Sequence, residues 1–310
     1  MKLFITGGSG FIAKSIVNYF KKDNDIELFA PDRSFLDILD ETAVDTYIKQ
    51  YRPDIIIHTA NKGGGRNSIG STDIVHNNLR MFFNIAKQAP KVHKIIHLGS
   101  GAEYGKHKPV INAKEDDTLT AFPKDDYGFY KSVCSRYIEK TDNMINLRIF
   151  GCYGEGEDYR YKFITNAIVK NLLGIPITIN RNVRFDYLYI DDLMRMVEHF
   201  LFQQHRHPVY NAASGRGIDL LSLAEIINTI AESRVPITIL KKGMGNEYTA
   251  NSSRMLQELG DKFRITSHET AIKKLYTYFS ANLDRLDTEI VRTDPYIKHC
   301  NTLWEDKNDI

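Results

Sequence analysis

Tyr127 and Lys131 stand four residues apart in a stretch with helical spacing, so their side chains share one helix face and can reach a common ligand. The spacing has a chemical use. A phenol with an ordinary pKa of about 10 exchanges protons poorly near neutrality, whereas an adjacent ammonium favours its phenolate. Such a tyrosine can serve as general acid or base for a carbonyl/alcohol pair. Tyr-x-x-x-Lys also arises by chance on helix surfaces, so its weight depends on its surroundings. Ser100 supplies a surrounding: it lies just beyond the apolar run Lys94–Leu98, at the carboxyl end of a buried strand, where a hydroxyl can bond a reacting oxygen and align it with Tyr127. By itself, Gly99-Ser100-Gly101 is ordinary turn composition.

A second feature stands at the start of the chain. Lys2–Ala13 reads as a buried strand running into a glycine turn and, without a spacer, into an amphipathic helix carrying Phe11, Ile12, Ile16, Val17 and Phe20. The turn offers free backbone N–H groups and a helix N-terminus to a pyrophosphate, with Gly7 and Gly10 for the tight turn and close approach, and Ala13 for close helix packing.

The elements that must position these residues alternate along the chain. Ile26–Ala30, Ile55–Ala60, Lys94–Leu98 and Ile145–Phe150 read as strands, separated by helical stretches at Thr42–Tyr51, Ile74–Ala89 and Asp125–Lys140. Residues 102–124 read as polar and irregular, and Gly63–Gly70 as a glycine-rich loop. This order predicts an α/β fold with a doubly wound parallel sheet of Rossmann type, whose ligands gather at the carboxyl ends of the strands. Residues 1–150 are expected to form a dinucleotide-binding domain completed by 183–212, and 151–285 mostly a smaller C-terminal α/β substrate lobe. A polar tail is expected over 286–310, with the single Trp304.

Composition narrows the class. Hydrophobic residues are 42% and charged residues 26% of 310, which suits a globular chain with a sizeable core. A formal charge of +2 with interspersed signs gives no reason to expect nucleic acid, and no apolar run approaches a membrane span. With no signal peptide at the start of the sequence and three cysteines, Cys134, Cys152 and Cys300, lacking metal-ligand spacing, a cytoplasmic protein with reduced thiols and no metal is expected. Cys134 and Cys152 suit packing better than nucleophilic roles. His58 reads as lining a strand end and His205-Arg206-His207 as a solvated turn.

Taken together, Thr6-Gly7-Gly8-Ser9-Gly10-Phe11-Ile12-Ala13, Asp37-Ile38, His58-Thr59-Ala60-Asn61, Asn78, Ser100 with Tyr104-Gly105, Tyr127-Gly128-Phe129-Tyr130-Lys131, Arg148 with Tyr153-Gly154, and Arg184 through Asp192 resemble the extended short-chain dehydrogenase/reductases. These form the NAD-dependent epimerase/dehydratase family, which acts on nucleotide sugars, and the likeness spans about residues 1–285. It implies Tyr127 as acid/base, Lys131 on the nicotinamide ribose and Ser100 assisting. It further implies dinucleotide contacts from Gly7, Ser9, Gly10, Phe11, Ile12, Arg33, Asp37, Ile38, Ala60, Asn61 and Asn78, with Asp37 reaching the adenine. Substrate contacts are implied for Arg184, on a diphosphate, and for Glu103 and Gly151.

Within the family the chain looks most like GDP-fucose synthase-like 4-keto sugar reductases. It departs from them in having Ala102 and Gly156 where their epimerising Cys and His stand, and from sugar dehydratases in having Gly101-Ala102 in place of an Asp-Glu pair. The expected activity is therefore NAD(P)H-dependent reduction of a nucleotide-linked 4-keto(-6-deoxy) sugar. The alternative is a 4-epimerase with bound NAD, ahead of a dehydratase or a non-catalytic redox sensor. Ala30-Pro31-Asp32-Arg33 offers both an acid for the ribose of NAD and an arginine for the 2′-phosphate of NADP; NADP is expected, with NAD the alternative. The resemblance also implies a homodimer through the Tyr127 helix and a neighbour, with Phe82, Phe83, Val133 and Tyr137 as candidate contacts.

Overall fold

Short apolar runs bounded by turn residues become strands here because parallel pairing buries both of their faces. The computed structural model describes residues 1–63 and 71–303, so Gly64–Gly70 of the glycine-rich run and Trp304 lie outside the described residues. The first half comprises β1 (Lys2–Thr6), α1 (Phe11–Phe20), β2 (Glu27–Phe29), α2 (Glu41–Tyr51), β3 (Ile55–His58), α3 (Ile74–Ala86), β4 (Lys94–Ser100), β5 (Val110–Ala113), α4 (Asp126–Ile138) and β6 (Met144–Ile149). It continues through β7 (Gly151–Tyr153), α5 (Phe163–Leu172), β8 (Ile177–Asn182), β9 (Arg184–Tyr189), α6 (Ile190–Phe202), β10 (Val209–Ala212), β11 (Gly217–Asp219) and α7 (Leu220–Ile230). Then come β12 (Ile237–Met244), β13 (Tyr248–Ala250), α8 (Ser253–Leu259), α9 (His268–Ala281), α10 (Thr288–Arg292) and α11 (Pro295–Leu303).

Among the described residues, six parallel strands form the main sheet in the order β10-β6-β4-β3-β1-β2. Strand alternation divides its core. Leu3, Ile5, Ile55, Ile57, Ile96 and Leu98 face α1 and α5–α7, while Phe4, Ile56 and Ile95 face α2–α4. The doubly wound α/β expectation is met. The chain reverses its order of strands between β1 and β3, and the glycine turn after β1 and Ser100 at the end of β4 both open at the carboxyl edge.

Three local readings change. Of residues 183–212, only β10 joins the main sheet; β9 instead anchors a second sheet, pairing with β7, β11 and β13. The stretch 102–124 holds β5, which pairs with β13, a partner too distant in sequence for any local pattern to announce. The expected polar tail folds back as α10 and α11, because Val291 and Tyr296 bury completely or nearly so, Tyr296 beside Phe163, and Asp294 takes the buried Lys170 ammonium at 2.6 Å.

Candidate active site

A cleft of about 1650 Å³ runs from the glycine turn, past the ends of β4 and α4, to β8, β9 and the segment before β13. Gly7, Ser9, Gly10, Phe11 and Ile12 line one end. Gly7 has φ +68°, and a Cβ there would stand 2.9 Å from Ala60 Cα; one on Gly8 would stand 2.2 Å from Ala30 O. The backbone can take this path only without side chains. Gly10 is the N-cap of α1 and gives no side-chain cap, so the first-turn N–H groups open into the cleft. Beneath, Thr6 Oγ1 receives the N–H groups of Thr59 and Ala60 at 3.1 Å and meets His58 Nδ1 at 2.9 Å, tying β1 to β3. The cradle thus fits a dinucleotide pyrophosphate in shape and donors.

Arg33, Asp37, Ile38, Ala60 and Asn61 also line this end. Arg33 pairs with Asp37 at 3.1 Å, and Asp32 is occupied in its own turn by Ser34 and Phe35. Asn78 does not line the cleft. Its amide holds both the N–H and the C=O of Lys62 at 2.8 Å, so it acts through the loop and not on a ligand, a correction to the expected contact.

At the centre, Asp125 caps α4 by accepting from Gly128 N at 2.8 Å, which places Tyr127 in the first helical turn. Tyr127 and Ser100 line the same wall of the cleft. Lys131, one turn on, is buried, and its ammonium donates to Leu98 O at 2.5 Å. The three expected catalytic side chains therefore meet on one wall of the cleft. Their electrostatics differ from expectation. Burial pushes the Tyr127 phenol up to about 12, with only the Ser100 hydrogen bond working against it, and lowers Lys131 to about 8. The ammonium is directed at a carbonyl, 6.0 Å from the Tyr127 ring centre, and so does not by itself favour the phenolate.

Glu103 faces the opposite way from a substrate. It is 1% exposed, receives Ser100 N at 3.1 Å and Asn146 Nδ2 at 3.2 Å, and binds Arg148 Nε at 2.5 Å. Arg148 in turn reaches Glu115 O and the hydroxyls of Tyr104, Thr118 and Ser135. The expected substrate contact is corrected: this carboxylate forms the floor that fixes the backbone of Ser100.

Arg184 is corrected too. Strand alternation turns Phe185 and Tyr187 into the cleft and Arg184 away, beside Glu247 at 4.0 Å. Cations that do line the cleft include Arg181, Lys241, Lys106 and Lys108, which the sequence reading missed. Gly151 lines the cleft and pairs with Tyr187 across β7 and β9. Also missed was Tyr248, which lines the cleft with its hydroxyl against Gly101; no local motif marks it. Cys152 and Cys300 line the cleft, Cys134 is buried, and burial raises the thiols of Cys134 and Cys152 far from the thiolate range. Phe82 is core, packed edge-on against Phe83, whereas Tyr137 is exposed on α4.

A parallel sheet with a glycine cradle after β1 and a Ser/Tyr/Lys wall at its carboxyl edge defines a dinucleotide-dependent enzyme class, and the chain belongs to the NAD dependent epimerase/dehydratase family, whose model matches residues 3–213. Among curated proteins it is similar to the GDP-L-colitose synthase of Yersinia pseudotuberculosis, 24% identical over 90% of this chain and 98% of that one. Solved structures give the same fold. The UDP-glucose 4-epimerase of Thermotoga maritima superposes with a TM-score of 0.77 at 20% identity, over 91% of this chain and all 100% of its own. The GDP-mannoheptose C4 reductase of Campylobacter jejuni, solved with NADP bound, does so with 0.75 at 19% identity, over 90% and 98%.

Proposed function

We propose that this protein is an NADPH-dependent reductase of a nucleotide-linked 4-keto-6-deoxy sugar. The observation that carries the reading is that Ser100, Tyr127 and Lys131 line one wall of the cleft, while the residues after the serine offer no acid to it: Gly101 and Ala102 follow, and Glu103 is bound beneath by Arg148. The dinucleotide supplies the hydride when bound. Tyr127, kept protonated by burial, delivers a proton to the C4 oxygen, and Ser100 holds that oxygen while its bond order changes. Lys131 lies one helical turn from Tyr127, where it can hold the nicotinamide ribose. Arg181, Lys241 and Lys106 give the cleft the charge that a nucleoside diphosphate needs.

NADP is favoured over NAD because Arg33 lines the cleft while the neighbouring acid, Asp32, is held in its turn. The similarity to a GDP-L-colitose synthase and to a C4 reductase with NADP bound supports the reading. A cytoplasmic homodimer is part of it, supported by the absence of a disulfide among the described residues and by the exposed Tyr137 on α4. Among the described residues no helix is long and apolar enough to cross a membrane.

The test is loss of reduced-nicotinamide absorbance when purified protein meets NADPH and GDP- or dTDP-linked 4-keto-6-deoxy sugars. Turnover that consumes NADPH is the expected result, and Arg33→Ser should weaken NADPH more than NADH. A 4-epimerase is the second reading, favoured by the likeness to the Thermotoga enzyme. Retained NAD, interconversion of 4-epimers and no NADPH consumption would establish it and remove the first.

A further inference from the structure

The end of the cleft at β8 has a wall that comes from the C-terminal stretch. Tyr296 and Cys300 line the cleft together with Phe163 and Ile164 at the start of α5 and with Asn180 and Arg181 of β8. The two residues stand four apart on α11, so one face of that helix serves the cleft. Tyr296 is 2% exposed and packs on Phe163, with ring centroids 5.8 Å apart, while Cys300 is half-buried. α11 lies against β8, the strand that carries Arg181.

One residue fixes the approach of α11. Asp294, in the turn from α10, has φ +51°, a left-handed conformation that aspartate adopts more readily than most residues. Its Oδ1 accepts from Ile297 N at 3.3 Å, and its Oδ2 takes the Lys170 ammonium of α5 at 2.6 Å. Lys170 is 1% exposed, and a buried ammonium needs such a partner. The turn, the start of the helix and the ion pair thus converge on one side chain, which seats α11 against α5 and β8.

Substrate chemistry says what meets this wall. The glycine cradle occupies one end of the cleft and Ser100, Tyr127 and Lys131 its centre. In a hexopyranose, C1 lies across the ring from C4, so a sugar reacting at C4 in the centre extends its diphosphate and nucleoside away from the catalytic wall, toward β8. An aromatic ring and a thiol there offer dispersion contacts to a planar base. We propose that α11 is part of the sugar-nucleotide site: Tyr296 and Cys300 form a wall against which the nucleoside packs, and the Lys170–Asp294 pair holds that wall in place. The inference rests on the sugar-nucleotide reading of the cleft and deepens it by assigning the nucleoside end.

The test uses full-length protein with GDP, UDP and dTDP as probes. Cys300 is its own reporter: iodoacetamide should alkylate it in the free protein, read by peptide mass spectrometry apart from Cys134 and Cys152. A diphosphate present at about ten times its Kd should slow that reaction about tenfold through occupancy, whereas NADPH should not. Cys300→Trp should weaken the same diphosphate about tenfold or more, as overfilling an occupied pocket does, and leave NADPH affinity unchanged. Lys170→Met with Asp294→Asn removes the ion pair without leaving a buried charge, and asparagine keeps the left-handed turn. In that variant hydrogen exchange in α11 should rise and the diphosphate should bind more weakly. Either alkylation of Cys300 at its free rate with a diphosphate bound, or unchanged diphosphate affinity in Cys300→Trp, would overturn the proposal and leave the sugar-nucleotide reading standing. Binding of none of the three diphosphates would overturn both. Protection of Cys300 without NADPH consumption in the presence of 4-keto sugars would uphold the wall and count against the reductase alone.

Discussion

Replacing Glu103 by alanine would strip the Arg148 guanidinium, 1% exposed, of the carboxylate at 2.5 Å and leave Glu139 at 3.6 Å as its remaining one. It would also free Ser100 N and one Asn146 proton. Removing one member of a buried ion pair costs about 3–5 kcal/mol, because the other charge stays in a low dielectric without its partner. With an unfolding entropy of about 2 cal/mol/K per residue, a chain of 310 residues loses about 6 °C in Tm for about 4 kcal/mol. Calorimetry and urea unfolding would read this directly. Replacing both partners, with Glu103→Leu and Arg148→Met together, should recover most of the loss, since an apolar pair of similar volume needs no desolvation. The reasoning fails if Glu103→Ala costs under about 1 kcal/mol while raising KM for the sugar nucleotide. That outcome would mean the carboxylate faces substrate after all.

Other expected outcomes follow from the same geometry. Tyr127→Phe removes the proton donor and should reduce kcat by about 100-fold or more, with dinucleotide affinity unchanged by equilibrium titration. Lys131 carries its charge below about pH 8 and loses it above, because burial lowers its pKa from 10.5. KM for the dinucleotide should therefore rise as pH passes through about 8, and Lys131→Met should flatten that dependence; a KM flat with pH in the wild type would refute the role. Gly8→Ala drives a Cβ to 2.2 Å from Ala30 O and should cost about 1–3 kcal/mol in stability and weaken dinucleotide binding, measured by urea unfolding and fluorescence titration.

Sequence alone determined what depends on neighbours along the chain. A continuous apolar run such as Ile55–Ile57 has to be buried, and a glycine turn joining a strand to a helix has to expose N–H groups, wherever the rest of the chain goes. The i, i+4 spacing likewise put Tyr127 and Lys131 on one face before any fold was known. Tertiary structure alone decided which way each polar side chain turns and what meets it from afar. Glu103 and Arg184 are ordinary polar residues in sequence; the first is claimed by Arg148 from β6, and the second is turned outward by the register of β9. Asn78 serves the Lys62 loop instead of a ligand, and the polar C-terminal stretch folds because Val291 and Tyr296 find a core to enter. Tyr248 is the clearest instance. Its phenol reaches the Gly101 turn only because β13 pairs with β5 and β9, long-range contacts whose closure no local pattern encodes.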